Sequence, residues 1–116
     1  MTTTRIHDGT LHITFTRAEK IAGLLRDQRI PLGAIGSVEL VDDGLAATEG
    51  LRAPGLGLPG SVKLGTWRSA GARTLVAVRG HRPAVRIDLH GQHYSGVLLT
   101  VDEPGELVAS LSQHAA

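Results

Sequence analysis

Residues 84–89, Ala84-Val85-Arg86-Ile87-Asp88-Leu89, alternate between apolar and charged side chains from the valine onward. A period of two is typical of a β-strand that buries one face and exposes the other. The pattern directs Val85, Ile87 and Leu89 inward and the two charged residues between them outward. We therefore expect this strand to belong to a sheet with an aliphatic core.

Three more strands are predicted around this one, at residues 62–68, 73–79 and 94–101. The segments that separate the four strands are rich in residues that favour turns. The strands begin about every 11 residues, a spacing typical of antiparallel strands in a barrel or sandwich. The second half of the chain is therefore predicted to form an antiparallel meander.

The first half is predicted to contain strands at Leu11–Phe15 and Ala34–Val41 with a helix between them. The sequence Thr16-Arg17-Ala18-Glu19 matches a capping box, in which the Thr and Glu side chains bind free amides at a helix start. The helix is expected to run to about Asp27, because Pro31 cannot continue it. Its apolar face is expected to contain Ala18, Ile21, Ala22 and Leu25, with Leu24 widening it.

A second helix is predicted near the end of the chain, with Asp102 as its cap and Pro104 in its first turn. Acidic residues at this end interact favourably with the helix dipole. Residues 112–116 are expected to fray. The helix has one apolar stripe that must lie on the sheet, made of Leu107, Val108 and Leu111.

Composition indicates one globular domain. The chain has 116 residues, of which 41% are hydrophobic and 20% charged, and this length can bury a single modest core. We assign residues 1–116 to one domain of mainly β (α+β) class, with a core of about residues 10–112. Only Phe15, Trp67 and Tyr94 are aromatic, so the core is expected to be aliphatic.

The chain contains no cysteine, which excludes disulfides, thiolate nucleophiles and zinc sites built on cysteine. Its first residues do not form a basic segment followed by an apolar one, and no apolar run approaches the roughly 20 residues needed to cross a bilayer. We therefore expect a soluble, cytoplasmic protein that is not exported.

Positive charge is concentrated in the middle of the sequence. Residues 50–87 contain seven basic residues and no acidic one, although the net charge of the whole chain is only +1. Such asymmetry can mark a surface for anionic partners. Alternatively, the folded chain interleaves these basic residues with acidic residues from the two ends.

Residues 44–60 contain five glycines and two prolines and are predicted to be irregular. Within them, Gly55-Leu56-Gly57-Leu58-Pro59-Gly60 fits the G-x-G-x-x-G pattern of dinucleotide-binding loops. Such a loop needs a strand before it and a helix after it, whereas here an irregular segment precedes it and a predicted strand follows. We therefore expect no nucleotide cofactor, and expect these glycines to serve positive φ angles or close backbone approach.

Catalytic and metal sites are not predicted. His90 and His93 flank one turn, but His81 lies on a neighbouring turn and no third ligand is evident. No serine lies in a nucleophile elbow, and Asp42-Asp43 resembles a strand terminator more than an acid/base pair. Nucleic-acid binding is also not predicted, because no recognition motif is present and aromatic residues do not interleave with the arginines.

The order of features from residue 30 to residue 111 resembles that of the bacterial pleckstrin-homology-like (PH-like) domain family. The resemblance covers roughly 80 of the 116 residues. Its pieces are Ile30-Pro31-Leu32 to Ile35, Val38-Glu39-Leu40, Arg-x-x-Gly-x-Gly at Arg52, Gly55 and Gly57, Val85-Arg86-Ile87, His90-Gly91-Gln92-His93-Tyr94 and Asp102-Glu103-Pro104.

This resemblance implies a bent, partly open antiparallel β-barrel with a C-terminal capping helix. The chain departs from the familiar eukaryotic pattern by an extra helix after the first strand. It also lacks the basic signature that eukaryotic relatives carry between their first two strands for phosphoinositides, so lipid binding is not transferred by residue. Many bacterial relatives have no assigned activity.

We expect a non-enzymatic binding or scaffolding module without a cofactor or metal, which engages a protein partner or self-associates. A partner could add a strand to an open sheet edge. The alternative is peripheral binding to anionic membrane lipid through the basic 50–87 region, and a third possibility is a small apolar pocket beneath residues 44–60. The candidate binding surface consists of Arg52, Gly55, Gly57, Lys63, Arg68 and Arg73.

Overall fold

The computed structural model describes residues 2–47, 51–58, 62–69 and 71–113, with only the backbone of 51–58 and of residue 69. These residues form nine strands, three α-helices and one 3-10 turn (Leu32–Ala34). The strands are β1 (Thr3–His7), β2 (Thr10–Thr14), β3 (Gln28–Pro31), β4 (Ile35–Val41), β5 (Leu51–Leu58), β6 (Val62–Ser69), β7 (Ala72–Arg79), β8 (Ala84–Leu89) and β9 (Gly96–Leu99). The helices are α1 (Arg17–Gly23), α2 (Gly44–Ala47) and α3 (Pro104–Ser112).

The strands form two sheets. The small sheet has the order β1-β2-β3, and the large sheet has the order β4-β8-β9-β7-β6-β5. The mainly β class is therefore confirmed. The described strands do not close into a barrel, since β4 and β5 lie at the two ends of the large sheet.

The predicted antiparallel meander is wrong at its last strand. β9 inserts between β7 and β8, and it pairs antiparallel with β8 but parallel with β7. It is also shorter than the predicted strand at residues 94–101. Val97, Leu98 and Leu99 are at most 2% exposed, as is typical of a strand in a sheet that is covered on both faces.

The large sheet packs against other elements on both faces. Face A, which carries Leu75, Ile87 and Leu99, packs against β2, β3 and α3 in one core cluster. Face B, which carries Val76 and Leu98, packs against α2 in a second cluster. The predicted orientation of β8 is confirmed, since its inward residues belong to the face A cluster and its two charged residues lie on face B.

The first hairpin was not predicted. β1 pairs antiparallel with β2 through a two-residue turn at Asp8 and Gly9, whose φ angles are 50° and 69°. Two consecutive positive φ angles are typical of a type I′ turn, for which Asp-Gly is a preferred sequence. The extra helix α1 therefore follows the second strand instead of the first. The Asp-Gly pair was the signal for this hairpin, although Ile6 is the only strongly apolar residue of β1.

Helix α1 begins as predicted but ends earlier. The capping box is present: the Glu19 N–H donates to Thr16 Oγ1 (3.2 Å) and the Thr16 N–H donates to Glu19 Oε1 (2.8 Å). The helix ends at Gly23 instead of Asp27, because Leu24 adopts a left-handed conformation (φ 53°) that reverses the chain. The buried side of this short helix contains Glu19 and Gly23.

The predicted apolar face of α1 is consequently wrong in part. Ile21 and Leu24 are 70% and 68% exposed, while Ala18 is also exposed. Leu25 is buried as expected, but beyond the helix end, and Ala22 is half-buried. The register of the helix is set by the buried Glu19 and by the close approach of Gly23 to the sheet.

Residues 44–60 are more regular than predicted. They contain α2 and β5, while residues 48–50 and 59–60 lie outside the described part. β5 pairs antiparallel with β6, with a register shift between Arg52 and Gly55. Pairing with β6 therefore overrides the weak strand propensity of its glycines, and Gly55 and Gly57 lie in a strand instead of a loop.

The other predicted elements need small corrections. β4 begins at Ile35, because residues 32–34 form the 3-10 turn. Helix α3 has Glu103 at its N-cap position instead of Asp102, without a side-chain capping bond. Its apolar stripe is confirmed, with Leu107 and Leu111 buried. Residues 114–116, part of the segment expected to fray, lie outside the described residues.

The packing of α1 on β6 can be tested at Gly23. A Cβ at this position would lie 2.9 Å from Leu25 Cγ and 3.0 Å from the backbone carbon of Leu64. We expect Gly23→Ala to lower the free energy of unfolding by about 1–3 kcal/mol, because overpacking outweighs the helix propensity of alanine. Gly105→Ala is the matched control: its Cβ would meet nothing within 4 Å in α3, so a gain of roughly 0.5–1 kcal/mol is expected. Urea unfolding of both variants measures the difference, and equal effects would contradict this packing.

Candidate functional site

The predicted basic surface is only partly contiguous. Arg68 of β6 and Arg73 of β7 are direct cross-strand partners, so their side chains lie on the same face of the sheet. Arg68 is exposed and Arg73 is half-buried. Arg73 Nη1 lies 2.9 Å from Nε2 of the exposed His93. These residues form a small basic corner at one end of the large sheet.

Lys63 does not belong to this corner. It lies five positions before Arg68 in β6, so the two side chains lie on opposite faces. Lys63 Nζ donates to the Leu45 carbonyl (3.0 Å) at α2. Arg52 is the backbone partner of Trp67, next to Arg68, whereas Gly57 is the partner of Lys63 near the start of β6. Of these two β5 positions, only that of Arg52 is therefore close to the basic corner.

Other basic residues from the middle of the sequence are paired with acidic residues. Arg79 lies 3.4 Å from Glu19, and Arg86 Nη1 donates to Glu39 Oε1 (3.2 Å). His81 Nδ1 lies 2.6 Å from Asp43 Oδ2. The fold therefore pairs two of the seven basic residues of this region, Arg79 and Arg86, with acidic residues from the first half, which supports the second of the two interpretations of the charge pattern.

Glu19 is a buried carboxylate, 1% exposed, that connects three elements. Oε1 accepts the capping bond from Thr16, while Oε2 accepts a hydrogen bond from Thr2 Oγ1 (2.9 Å) and lies near Arg79 of β7. Burial raises the pKa of Glu19, but the hydrogen bonds from Thr16 and Thr2 and the charge of Arg79 together hold this pKa below its usual value of 4.5. Glu19 thus ties α1 to the chain start and to the large sheet.

Because the pKa of Glu19 is lowered in the folded state, the free energy of unfolding is expected to decrease at acid pH. Because the ionised form of Glu19 is favoured in the folded state, its contribution is fully present above pH 4.5 and is lost as the pH falls through the lower folded pKa. We expect Glu19→Gln to cost about 1–2 kcal/mol at neutral pH and to flatten the decrease of Tm below pH 4.5. Glu106→Gln, which removes an exposed carboxylate, is the control. A Glu19→Gln variant with an unchanged acid slope would contradict this assignment.

Two aspartates also have lowered pKa values. The Phe15 N–H donates to Asp27 Oδ1 (2.9 Å), and this bond, together with Lys20, lowers the pKa of Asp27. The Ala46 N–H donates to Asp43 Oδ1 (3.1 Å), and this bond, with His81, lowers the pKa of Asp43. Both aspartates fix loop or helix ends, so part of the acid sensitivity is expected to remain in Glu19→Gln.

The three turn histidines singled out from the sequence do not converge. His81 contacts Asp43, while His93 contacts Arg73 and stacks edge-on with Tyr94 at 4.9 Å. His90 lies beside Gly36. Within the described residues, no group of three or more His, Asp or Glu residues is arranged to hold a metal ion.

The free edge of the large sheet at β4 was not singled out from the sequence. Alternate residues of an antiparallel strand direct their backbone groups to opposite neighbours. The Leu89 N–H donates to Ser95 on the β9 side (2.8 Å) and the His90 N–H donates to Ala34 on the β4 side (2.9 Å). The even residues of β8 therefore bond to β4, and their partners in β4 are Ser37, Glu39 and Val41.

It follows that Val38 and Leu40 direct their N–H and C=O groups away from β8, toward the outer edge. β4 has no strand on this side among the described residues. Leu40 is 47% exposed, whereas Val38 is half-buried against the core. Sequence alternation alone could not show this edge, because it depends on which strands are neighbours.

The opposite edge, β5, is less suited to accept a further strand. It contains Pro54, which has no N–H to donate. Its ladder with β6 is shifted between Arg52 and Gly55, around this proline. Prolines and bulges are common features of protected sheet edges.

A polar groove lies on face B beside β4. Its volume is about 240 Å³, and its walls include Glu39, Arg86 and Asp88. Arg86 Nη2 donates to the Ala47 carbonyl (3.0 Å) at the end of α2, and Ser37 Oγ donates to Asp88 Oδ2 (2.7 Å). The groove is charged, and an apolar pocket beneath residues 44–60 stays a prediction because residues 48–50 and 59–60 lie outside the described part.

Comparison with protein-family models, curated proteins and solved structures finds no match to this chain. The PH-like resemblance therefore stays a prediction. None of the helices within the described ranges has both the length and the apolar character required to cross a lipid bilayer.

Proposed function

We propose that the protein is a non-enzymatic binding module that engages an extended segment of a protein partner, or of a second copy, by strand addition at β4. The observation that supports this function is the outer edge of β4, where Val38 and Leu40 direct backbone groups away from β8, next to an exposed leucine side chain. Backbone groups of an extended peptide can pair with such an edge, and side-chain contacts then provide specificity.

The two edges of the large sheet support this choice of site. β5 carries a proline and a register shift, which limit further pairing. In β4 the register shift lies near the start, between Ile35 and Ser37, so the segment from Ser37 to Val41 pairs regularly with β8. A regular, exposed strand of five residues is long enough to bind a short extended peptide.

Strand addition predicts a specific effect of proline at residue 40. Leu40→Pro removes an outward N–H but no hydrogen bond to β8, so the sheet is expected to remain folded. Binding to peptides, or to a second copy, is expected to weaken about tenfold through loss of a backbone hydrogen bond and a steric clash. An array of random heptapeptides tests partner binding, and light scattering over a concentration series tests self-association.

Leu40→Val is the matched control, since it keeps the N–H and the apolar character of the site. Circular dichroism checks that both variants fold. Amide hydrogen exchange of the wild-type protein provides a second measurement, because the N–H groups of Val38 and Leu40 must become protected in the complex. Equal binding by the proline and valine variants, without such protection, would rule out strand addition at β4.

A second candidate function is peripheral binding to anionic membrane lipid, and the basic corner of Arg68 and Arg73 favours it. Two adjacent arginines on one face can contact lipid phosphates together. Lys63, Arg79 and Arg86 contribute little to such a surface, because each is engaged within the fold. The predicted basic region is thus reduced to a small contact area, which makes this function the weaker candidate.

Membrane binding predicts that the variant Arg68→Gln, Arg73→Gln sediments less with anionic vesicles than the wild type. At about 1 kcal/mol per arginine near an anionic surface, the partition coefficient is expected to fall roughly 30-fold, and added salt should have the same effect. The control variant is Arg5→Gln, Arg29→Gln, which removes two exposed arginines that both pair with His12 in the small sheet. No sedimentation of the wild type at low salt would exclude this function.

A further inference from the structure

The chemistry beside β4 differs between the two faces of the sheet. A strand added to β4 places alternate side chains on face A and on face B, each about 5 Å from its direct neighbour in β4. The side chains of β4 therefore determine which residue types the added strand needs at even and at odd positions.

On face A the neighbours are apolar. Val38 and Leu40 are the partners of Ile87 and Val85, which are both fully buried in the core. Leu40 retains 47% exposure at the edge of this core. An apolar side chain in the added strand would cover Leu40 and extend the face A core by one strand, which removes apolar surface from water.

On face B the neighbours at residues 37 and 39 are polar and carry an excess of negative charge, whereas Val41 packs against the second cluster. Ser37 and Glu39 lie in β4, with Asp88 and Arg86 as their partners in β8. Arg86 is already engaged by Glu39 and by the Ala47 carbonyl. Glu39 is 58% exposed and Asp88 is exposed too, so both carboxylates can accept a further positive charge.

A second copy of β4 is a poor occupant of this edge. In an antiparallel pair of two β4 strands, Glu39 and Asp88 of both copies would lie on the same face. Like charges that face each other across strands are destabilising. Charge complementarity instead favours a strand with Lys or Arg on face B.

We propose that the β4 edge binds an extended protein segment in which basic and apolar side chains alternate. The basic side chains lie on face B beside Glu39, with Asp88 one strand further in, and the apolar ones lie on face A beside Val38 and Leu40. This inference rests on strand addition at β4 as the function of the protein, and it defines the chemical class of the partner.

Three fluorescent heptapeptides test the inference by anisotropy with the full chain. The first alternates lysine and valine, the second has the same composition in scrambled order, and the third alternates glutamate and valine. The alternating lysine peptide is expected to bind most tightly. It is also expected to protect the N–H groups of Val38 and Leu40 from hydrogen exchange.

Protein variants identify the contacts. Glu39→Gln is expected to weaken binding of the alternating lysine peptide about two- to fivefold, the range of a cross-strand charge pair, and Asp88→Asn is expected to weaken it less, because Asp88 lies in β8, one strand further from the peptide. Glu106→Gln is the control, because Glu106 lines a separate groove between β1 and α3. Its affinity is expected to match that of the wild type.

The outcomes separate this inference from the proposed function. If the glutamate or the scrambled peptide binds as tightly as the lysine peptide, and Val38 and Leu40 are still protected, strand addition stands but the alternating basic partner is wrong. Equal losses in Glu39→Gln and Glu106→Gln would also overturn the inference. If no peptide protects the β4 amides, both proposals fail.

Discussion

The architecture of the large sheet depends on the burial of β9 on both faces. Val97, Leu98 and Leu99 have no solvent-facing side, and this strand lies between two others in the middle of the sheet. Its insertion separates β7 from β8 and leaves β8 to pair with β4 on its other side. Gly96 permits the approach, because a Cβ there would lie 3.2 Å from the Ile87 carbonyl. One apolar segment thus places β4 at the edge of the sheet.

Alternation located β8, turn residues and strand spacing located β6 and β7 to within one residue, and the capping box located the start of α1. These signals are local. The position of β9 was not predictable from them, because a strand's pattern shows how many of its faces are buried but not which strands are its neighbours. β5 was missed for the opposite reason: its glycines and proline oppose strand formation, and only its partner β6 holds it in the sheet.

The sequence predicted only part of the candidate basic surface. Arg68 and Arg73 are neighbours, as a shared basic surface requires, but Lys63 is turned to the other face by its position in the strand. The excess charge of residues 50–87 also overstated the basic surface, since Glu19 and Glu39 neutralise two of its arginines from distant parts of the sequence. Charge in a sequence window becomes a surface property only after pairing within the fold is taken into account.

Side-chain contacts on the two faces of β4 hold this strand in place and leave its outer edge available for pairing. The Glu39–Arg86 pair and the Ser37–Asp88 hydrogen bond hold β4 to β8 on face B, while Val38 anchors it to the core on face A. These contacts fix the strand in an extended conformation without using its outward backbone groups. A partner strand therefore would not have to order β4 on binding, which lowers the entropic cost of association. An edge that is rigid, regular and only lightly charged is an aggregation risk for a protein that keeps it exposed, and a bound partner strand would remove that risk by pairing its free N–H and C=O groups.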